Sequence, residues 1–377
     1  MSRVLALAAF LPLIAGCYLS HSAEVDADPP SQLSAGQHHT CAGDGDGVVT
    51  CWGTNGGGVL GDGTMTDRFT AIPVVGLADS VEITTGGDHS CARRRSGAVA
   101  CWGGNDTGQL GDGTTTIRLS PTPVVGLSDA VQISARGKFT CARRAAGSVV
   151  CWGTQVPRIG RFYNRSTPTL VAGLTDAVEI SAGAEHVCAR RRSGGVVCWG
   201  RNNEGQLGDG TTDERLAPTA VVGLTDAVGI SAGYKHSCAL RSSGAAVCWG
   251  ENSNGQLGDD TTAARMTPTP VVDLSDAVEI EAGSSHSCAR LGTGSVVCWG
   301  SNYVGQLGNG IVADGSERFA PTAVADLTDA VELSLGLAYA CATRESGAVV
   351  CWGANQWGQL GDGTNTARSV PTAVVGL

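Results

Sequence analysis

The stretch VEITTGGDHSCARRRSGAVACWGGNDTGQLGDGT, residues 81–114, holds a Cys-Trp-Gly triplet and a Gly-Gln-Leu-Gly element, and close copies of it run through the chain. The triplet begins at Cys51, Cys101, Cys151, Cys198, Cys248, Cys298 and Cys351, in steps of 50, 50, 47, 50, 50 and 53 residues. Such a period marks solenoids and propellers. Within the quoted unit, strands are expected at Val81–Thr85, His89–Arg93 and Ala98–Trp102, with a fourth at Pro123–Leu127 after a Gly-rich connection. Arg95-Ser96-Gly97 turns the second strand into the third, its glycine supplying a positive φ. Units of four short antiparallel strands, repeated seven times, favour an all-β, seven-bladed β-propeller over a sandwich, because radial repetition leaves only short, protected edges.

Composition agrees. The chain has 377 residues, with 55 glycines, 13 prolines and only 16% charged residues, which suits many short strands and turns. A net charge of −10 argues against nucleic acid as a partner, since phosphate tracking needs clustered Lys and Arg. Fifteen cysteines point to an oxidising compartment or a metal.

The pattern W-G-x-N-x-x-G-Q-L-G, followed by a proline-led strand and A-G-x-x-H, resembles the repeat of the regulator of chromosome condensation family over residues 31–377. Six units carry G-Q-L-G or the near copy Gly58-Val59-Leu60-Gly61. The resemblance implies a seven-bladed propeller. It does not carry function, because that family includes nucleotide exchange factors, ubiquitin ligases and a bacterial β-lactamase inhibitor of similar build.

With Cys17 set aside, the cysteines form pairs of constant separation: Cys41/Cys51, Cys91/Cys101, Cys141/Cys151, Cys188/Cys198, Cys238/Cys248, Cys288/Cys298 and Cys341/Cys351. If the hairpin turns near Ser96, Cys91 and Cys101 face each other across the ladder, so one disulfide per blade is expected, with Cα atoms about 5 Å apart. Cys-x-x-Cys spacing is lacking, so no metal is expected. At the N-terminus, Arg3, the apolar run Val4–Ile14 and Ile14-Ala15-Gly16-Cys17 have the layout of a lipoprotein export signal. Residues 1–17 are therefore read as a signal peptide with Cys17 lipidated, 18–30 as a tether and 31–377 as the propeller. The expected location is the bacterial outer membrane or cell surface, with lipid on Cys17 the sole membrane contact.

The repeated tryptophans, Trp52 through Trp352, are expected to pack between blades. His39, His89, His186, His236 and His286 share a slot with Phe139 and Tyr339, which reads as packing and hydrogen bonding rather than catalysis. Asp62, Asp112, Asp209, Asp259 and Asp362 lie in Asp-Gly turns, where a calcium reading lacks enough oxygen ligands. No nucleophile elbow, phosphate loop or H-E-x-x-H appears, so the expectation is no enzyme and no cofactor.

A binding site is sought where the units differ. The two residues before the His slot vary, as in Tyr234-Lys235, and so do the two before G-Q-L-G, as in Tyr303-Val304 and Gln356-Trp357. Unit three lacks G-Q-L-G-D-G-T and carries Arg158, Arg161, Phe162, Tyr163 and Arg165, read as a loop with the composition of an interface hot spot. Tyr234, Tyr303 and Trp357 complete the candidate binding residues. The function expected is a monomeric envelope lipoprotein that binds a protein or surface glycan through its loops. A secreted-enzyme inhibitor is the alternative, and an exchange-factor-like regulator a more distant one.

Overall fold

The computed structural model describes residues 32–158, 161–311 and 318–377, with the side chains of 155–158 and 161–163 left aside. The expected signal segment with Cys17, the expected tether and residues 312–317 lie outside the described residues. Seven four-stranded antiparallel sheets, each made of consecutive strands, form the blades. In the second blade the strands are Ser80–Thr85, His89–Arg94, Val99–Gly103 and Arg118–Pro123, in order from the channel outward.

That outer strand comes earlier than the Pro123–Leu127 expected. The ladder ends because the third strand begins at Val99, to whose carbonyl Val124 makes the last bond. Val125 then bonds Gly111, and Gly126, at φ +69°, turns the chain toward the next blade. The second correction is unit three. In place of a loop, strands Val149–Arg158 and Arg161–Leu170 pair as a long ribbon, with Gly153 opposite Arg165 and Thr154 opposite Asn164. The β-branched and aromatic content of this stretch suits a strand.

Each cysteine pair sits directly opposite in register, and all seven disulfides form with Cα atoms 4.1 Å apart, tighter than the expected spacing. The close approach belongs to the non-hydrogen-bonded positions of an antiparallel ladder.

Blades are joined by side chains that cap the next blade's inner strand. Glu82 Oε1 accepts from Ile133 N at 3.0 Å, Gln132 from Ile180 and Glu179 from Ile230. One layer toward the loop end, Thr84, Ser134, Ser181 and Ser231 hydroxyls accept from Ala135, Ala182, Ala232 and Ala282. The same bonds close the ring without exchange of terminal strands: Glu332 accepts from Gln32 and Leu33, and Ser334 from Ala35. The sequence explains these bonds, since an E-x-S alternation places both side chains on one face of a strand.

The tryptophans do pack between blades. Trp102 Nε1 donates to the Val59 carbonyl and Trp249 to that of Gln206, each in the preceding blade's loop. The His slot works likewise. His39, His89, His186 and His236 meet Ser90, Thr140, Ser237 and Ser287 of the following blade at 2.7–2.9 Å. Where the following blade carries Val187, the slot holds Phe139, and the two share one apolar cluster.

Candidate functional site

Both variable zones fall on the same mouth of the propeller, which the sequence could not show. The turns before the His slot in blades one, three and five meet the loop of the preceding blade around the ring. Lys138 Nζ lies 2.6 Å from Asp106, Lys235 3.3 Å from Glu204, and the His38 ring 6.0 Å from that of Trp357.

The loops are built around a buried asparagine after Trp-Gly. Asn105 Oδ1 accepts from Leu110 N, while its Nδ2 donates to Asp112 Oδ1 and to the Thr114 and Thr116 carbonyls. The Asp-Gly carboxylates serve the same frame: Asp62 receives Thr64 N and Oγ1, Asn55 Nδ2 and Arg68. Partial burial pushes these carboxyls up, and the bonds from Thr and Arg outweigh it and hold them below the usual range. Among the described residues no three His, Cys, Asp or Glu converge as a metal site.

In the second blade this loop covers its own turn, Gln109 reaching Asp88, and also the next blade's, Thr107 Oγ1 reaching the Lys138 carbonyl. Unit three has Gln155 where the others have that asparagine, and no such loop follows. Its own turn, Gly137 to Phe139, therefore has cover from the second blade's loop only, the fourth blade's turn, Ala184 and Glu185, has none from the blade before it, and the two form the floor of a trough of about 560 Å³. Thr107, Thr154 and Asn164 form one side, Arg201 the other, and Gln37 and Tyr234 the end at the channel. Trp199, whose preceding loop is the missing one, is 7% exposed while its six counterparts are at 0%.

The trough's charges are paired. Lys138 lies 2.6 Å from Asp106 and 3.9 Å from Asp88, and Arg201 3.0 Å from Glu185. The bond to Asp106 holds the Lys138 ammonium above its ordinary range. The slot histidines are set the opposite way: burial drives His39, His186, His236 and His286 down to about 3, and His89 to about 4, so all are neutral at pH 7.

Beneath the mouth, Arg136 occupies the position held elsewhere by Gly36, Gly86, Gly183, Gly233, Gly283 and Gly336. Its guanidinium bridges the channel, donating to the carbonyls of Ala232 at 3.0 Å, Ala282 at 2.7 Å and Leu335 at 2.8 Å. Glu281 stands where the other inner strands have Ser or Thr. Burial, with Glu279 adding to it and Arg136 opposing, raises this carboxyl to about 8. These two departures from the repeat went unread in the sequence, although aligning the units exposes both.

Of the candidate binding residues, Tyr234 lines the trough. Tyr303 and Trp357 stand on the loops of blades six and seven, 57% and 43% exposed, and Arg165 is exposed beside the trough on the ribbon. The side chains of Arg158, Arg161, Phe162 and Tyr163 lie outside the described residues, and their backbone belongs to the ribbon.

Among solved structures, yeast RCC1 (Prp20) determined with Kap60 superposes with a TM-score of 0.78 at 21% identity, covering 99% of this chain and 91% of that one. Prp20p of Saccharomyces cerevisiae, described with its binding to Gsp1p and histones, gives 0.78 at 22%, covering 88% and 86%. Human WBSCR16 gives 0.72 at 19%, covering 87% and 94%. At such identities the likeness is one of fold. No curated protein matches the sequence. The RCC1-like domain model matches residues 157–377, more than half of the chain, and models of the regulator of chromosome condensation repeat match 96–143 and 81–109. The chain belongs to the regulator of chromosome condensation (RCC1) repeat family.

Proposed function

We propose that this protein is an exported, lipid-anchored recognition protein of the cell envelope that holds a ligand at the loop mouth of the propeller and does no chemistry on it. The observation that carries this reading is the trough. It opens where one blade has given up the loop that covers the others, on the face where the units vary most. A concave site of this size with several convergent polar groups is what ligand binding requires. The trough's lysine and arginine are tied up in ion pairs and the slot histidines are buried and neutral, which favours binding over acid–base chemistry by these groups. That Prp20p is described by its binding to Gsp1p and histones supports binding as work suited to this propeller. Export and lipidation rest on Ile14-Ala15-Gly16-Cys17, and seven disulfides suit an oxidising compartment.

The test is affinity capture from an envelope extract by oxidised residues 18–377, beside a Tyr234→Ala, Asn164→Ala variant. The expected result is a ligand held by the first and lost by the second. Equal capture by both would remove the trough from the account.

A further inference from the structure

Within the reading of the loop mouth as a recognition surface, on which this step rests, we infer that the trough takes a neutral oligosaccharide. Volume is the first ground. About 560 Å³ is a cleft for a small ligand or a short chain, whereas a stable protein interface covers about 800 Å² on each partner and has no need of such a cleft. Charge is the second. Both cations of the trough are already taken, Lys138 by Asp88 and Asp106 and Arg201 by Glu185, so an anion finds no free positive partner. An anionic ligand would have to break pairs already made.

Chemistry is the third ground. The one large apolar side chain of the floor, Phe139, is only 5% exposed, which leaves little for a greasy ligand to cover. The walls instead offer amide and hydroxyl groups from Gln37, Thr107, Thr154 and Asn164. Carboxylates already bound to a cation keep spare lone pairs, so Asp88 and Glu185 remain able to accept from hydroxyls. Planar amides, paired carboxylates and hydroxyls match the dense donors and acceptors of adjacent sugar hydroxyls. Tyr234, half-buried at the channel end, presents an aromatic face for the C–H side of a pyranose ring.

The full chain, oxidised and held in detergent micelles, would be immobilised and exposed to the neutral carbohydrate fraction of the native cell envelope, digested with proteinase K and passed through an anion exchanger. Parallel arms would use that fraction after mild periodate, which cleaves vicinal diols, and the undigested protein fraction. The expected result is retention of the neutral fraction, its loss after periodate, and at least ten-fold weaker retention by Tyr234→Ala and by Asn164→Ala. Asn302→Ala, in a different blade's loop, serves as a control for folding damage and should retain the fraction. Failure to retain the neutral fraction, or retention that survives periodate, would overturn the inference. If the protein fraction alone binds and Tyr234→Ala releases it, the mouth remains a recognition surface and its ligand is a polypeptide. Binding that neither variant disturbs would overturn the recognition surface as well.

Discussion

Arg136→Gly returns unit three to the residue found at this position in the other six units, so repeat averaging would call it harmless or stabilising. The structure demands the opposite. The substitution deletes three bonds from a guanidinium to the carbonyls of Ala232, Ala282 and Leu335, in blades five, six and seven. A hydrogen bond to a charged group contributes about 1.5–3 kcal/mol, but the three share one side chain and water entering the channel replaces some of them. Glu281 also loses its cationic neighbour. Breaking a buried charged network costs about 3–5 kcal/mol, and that is the loss expected here. Reversible guanidinium unfolding of the oxidised propeller, followed by tryptophan fluorescence, measures it. Arg136→Lys should fall between, since an ammonium reaches fewer of the carbonyls. Adding Glu281→Ser to Arg136→Gly should recover part of the loss by giving the Leu335 N–H a hydroxyl like those of the other blades. A midpoint for Arg136→Gly within error of the parent would refute the reasoning.

Stability should also depend on pH in two windows. Glu281 titrates near 4.3 when unfolded and at about 8 when folded, so the native state binds the extra proton between them and stability declines as pH rises through that interval. Glu281→Gln should flatten the slope from neutrality to pH 8 in unfolding titrations. The slot histidines shift the other way, from about 6.5 unfolded to about 3 or 4 folded, so their contribution is present above pH 6.5 and lost as pH falls toward 3. Acid titration of the parent should therefore show a steep loss beginning well above the carboxylate range. Asn252→Ala strips Leu257, Asp259, Thr261 and Ala263 of their shared buried partner and should cost about 2–4 kcal/mol by the same unfolding assay. Replacing Cys91 and Cys101 together by serine should cost about 2–3 kcal/mol, the chain-entropy value for so short a loop. Finally, intact mass of the membrane-extracted protein should carry a lipid adduct that Cys17→Ser abolishes.

Much of the fold was legible because its devices are local. The Cys pairs lie ten residues apart on one hairpin, and a turn at Gly97 suffices to set them opposite. The tryptophans and slot histidines announced their packing roles by recurring at one position, and Phe139 and Tyr339 showed that the slot needs no base. What stayed hidden depends on closure of the ring. Nothing in the sequence says that residues before the His slot and residues before G-Q-L-G share a face, because Lys138 and Asp106 come from different blades. Arg136 reaches carbonyls 96 to 199 positions away, contacts that local periodicity does not encode. Unit three was legible as a departure, but its sequence reads as a loop of its own, and only the fold shows that a ribbon stands there and that the neighbouring turns line a trough. The outer strand was displaced in the reading because Pro-Val-Val looks like a strand while the ladder it could join has already ended.

The most direct test of the account is to fill the trough. Replacing residues Thr154–Arg165 by the fourth unit's Arg201–Arg215 restores the asparagine, the Gly-Gln-Leu-Gly element and the covering loop without touching any other blade. If the trough is the recognition site, the graft keeps its seven disulfides and its unfolding midpoint yet captures nothing from the envelope extract that the parent retains. A graft that folds and still holds the same ligand with undiminished affinity would contradict the central claim and move recognition to another surface of the propeller.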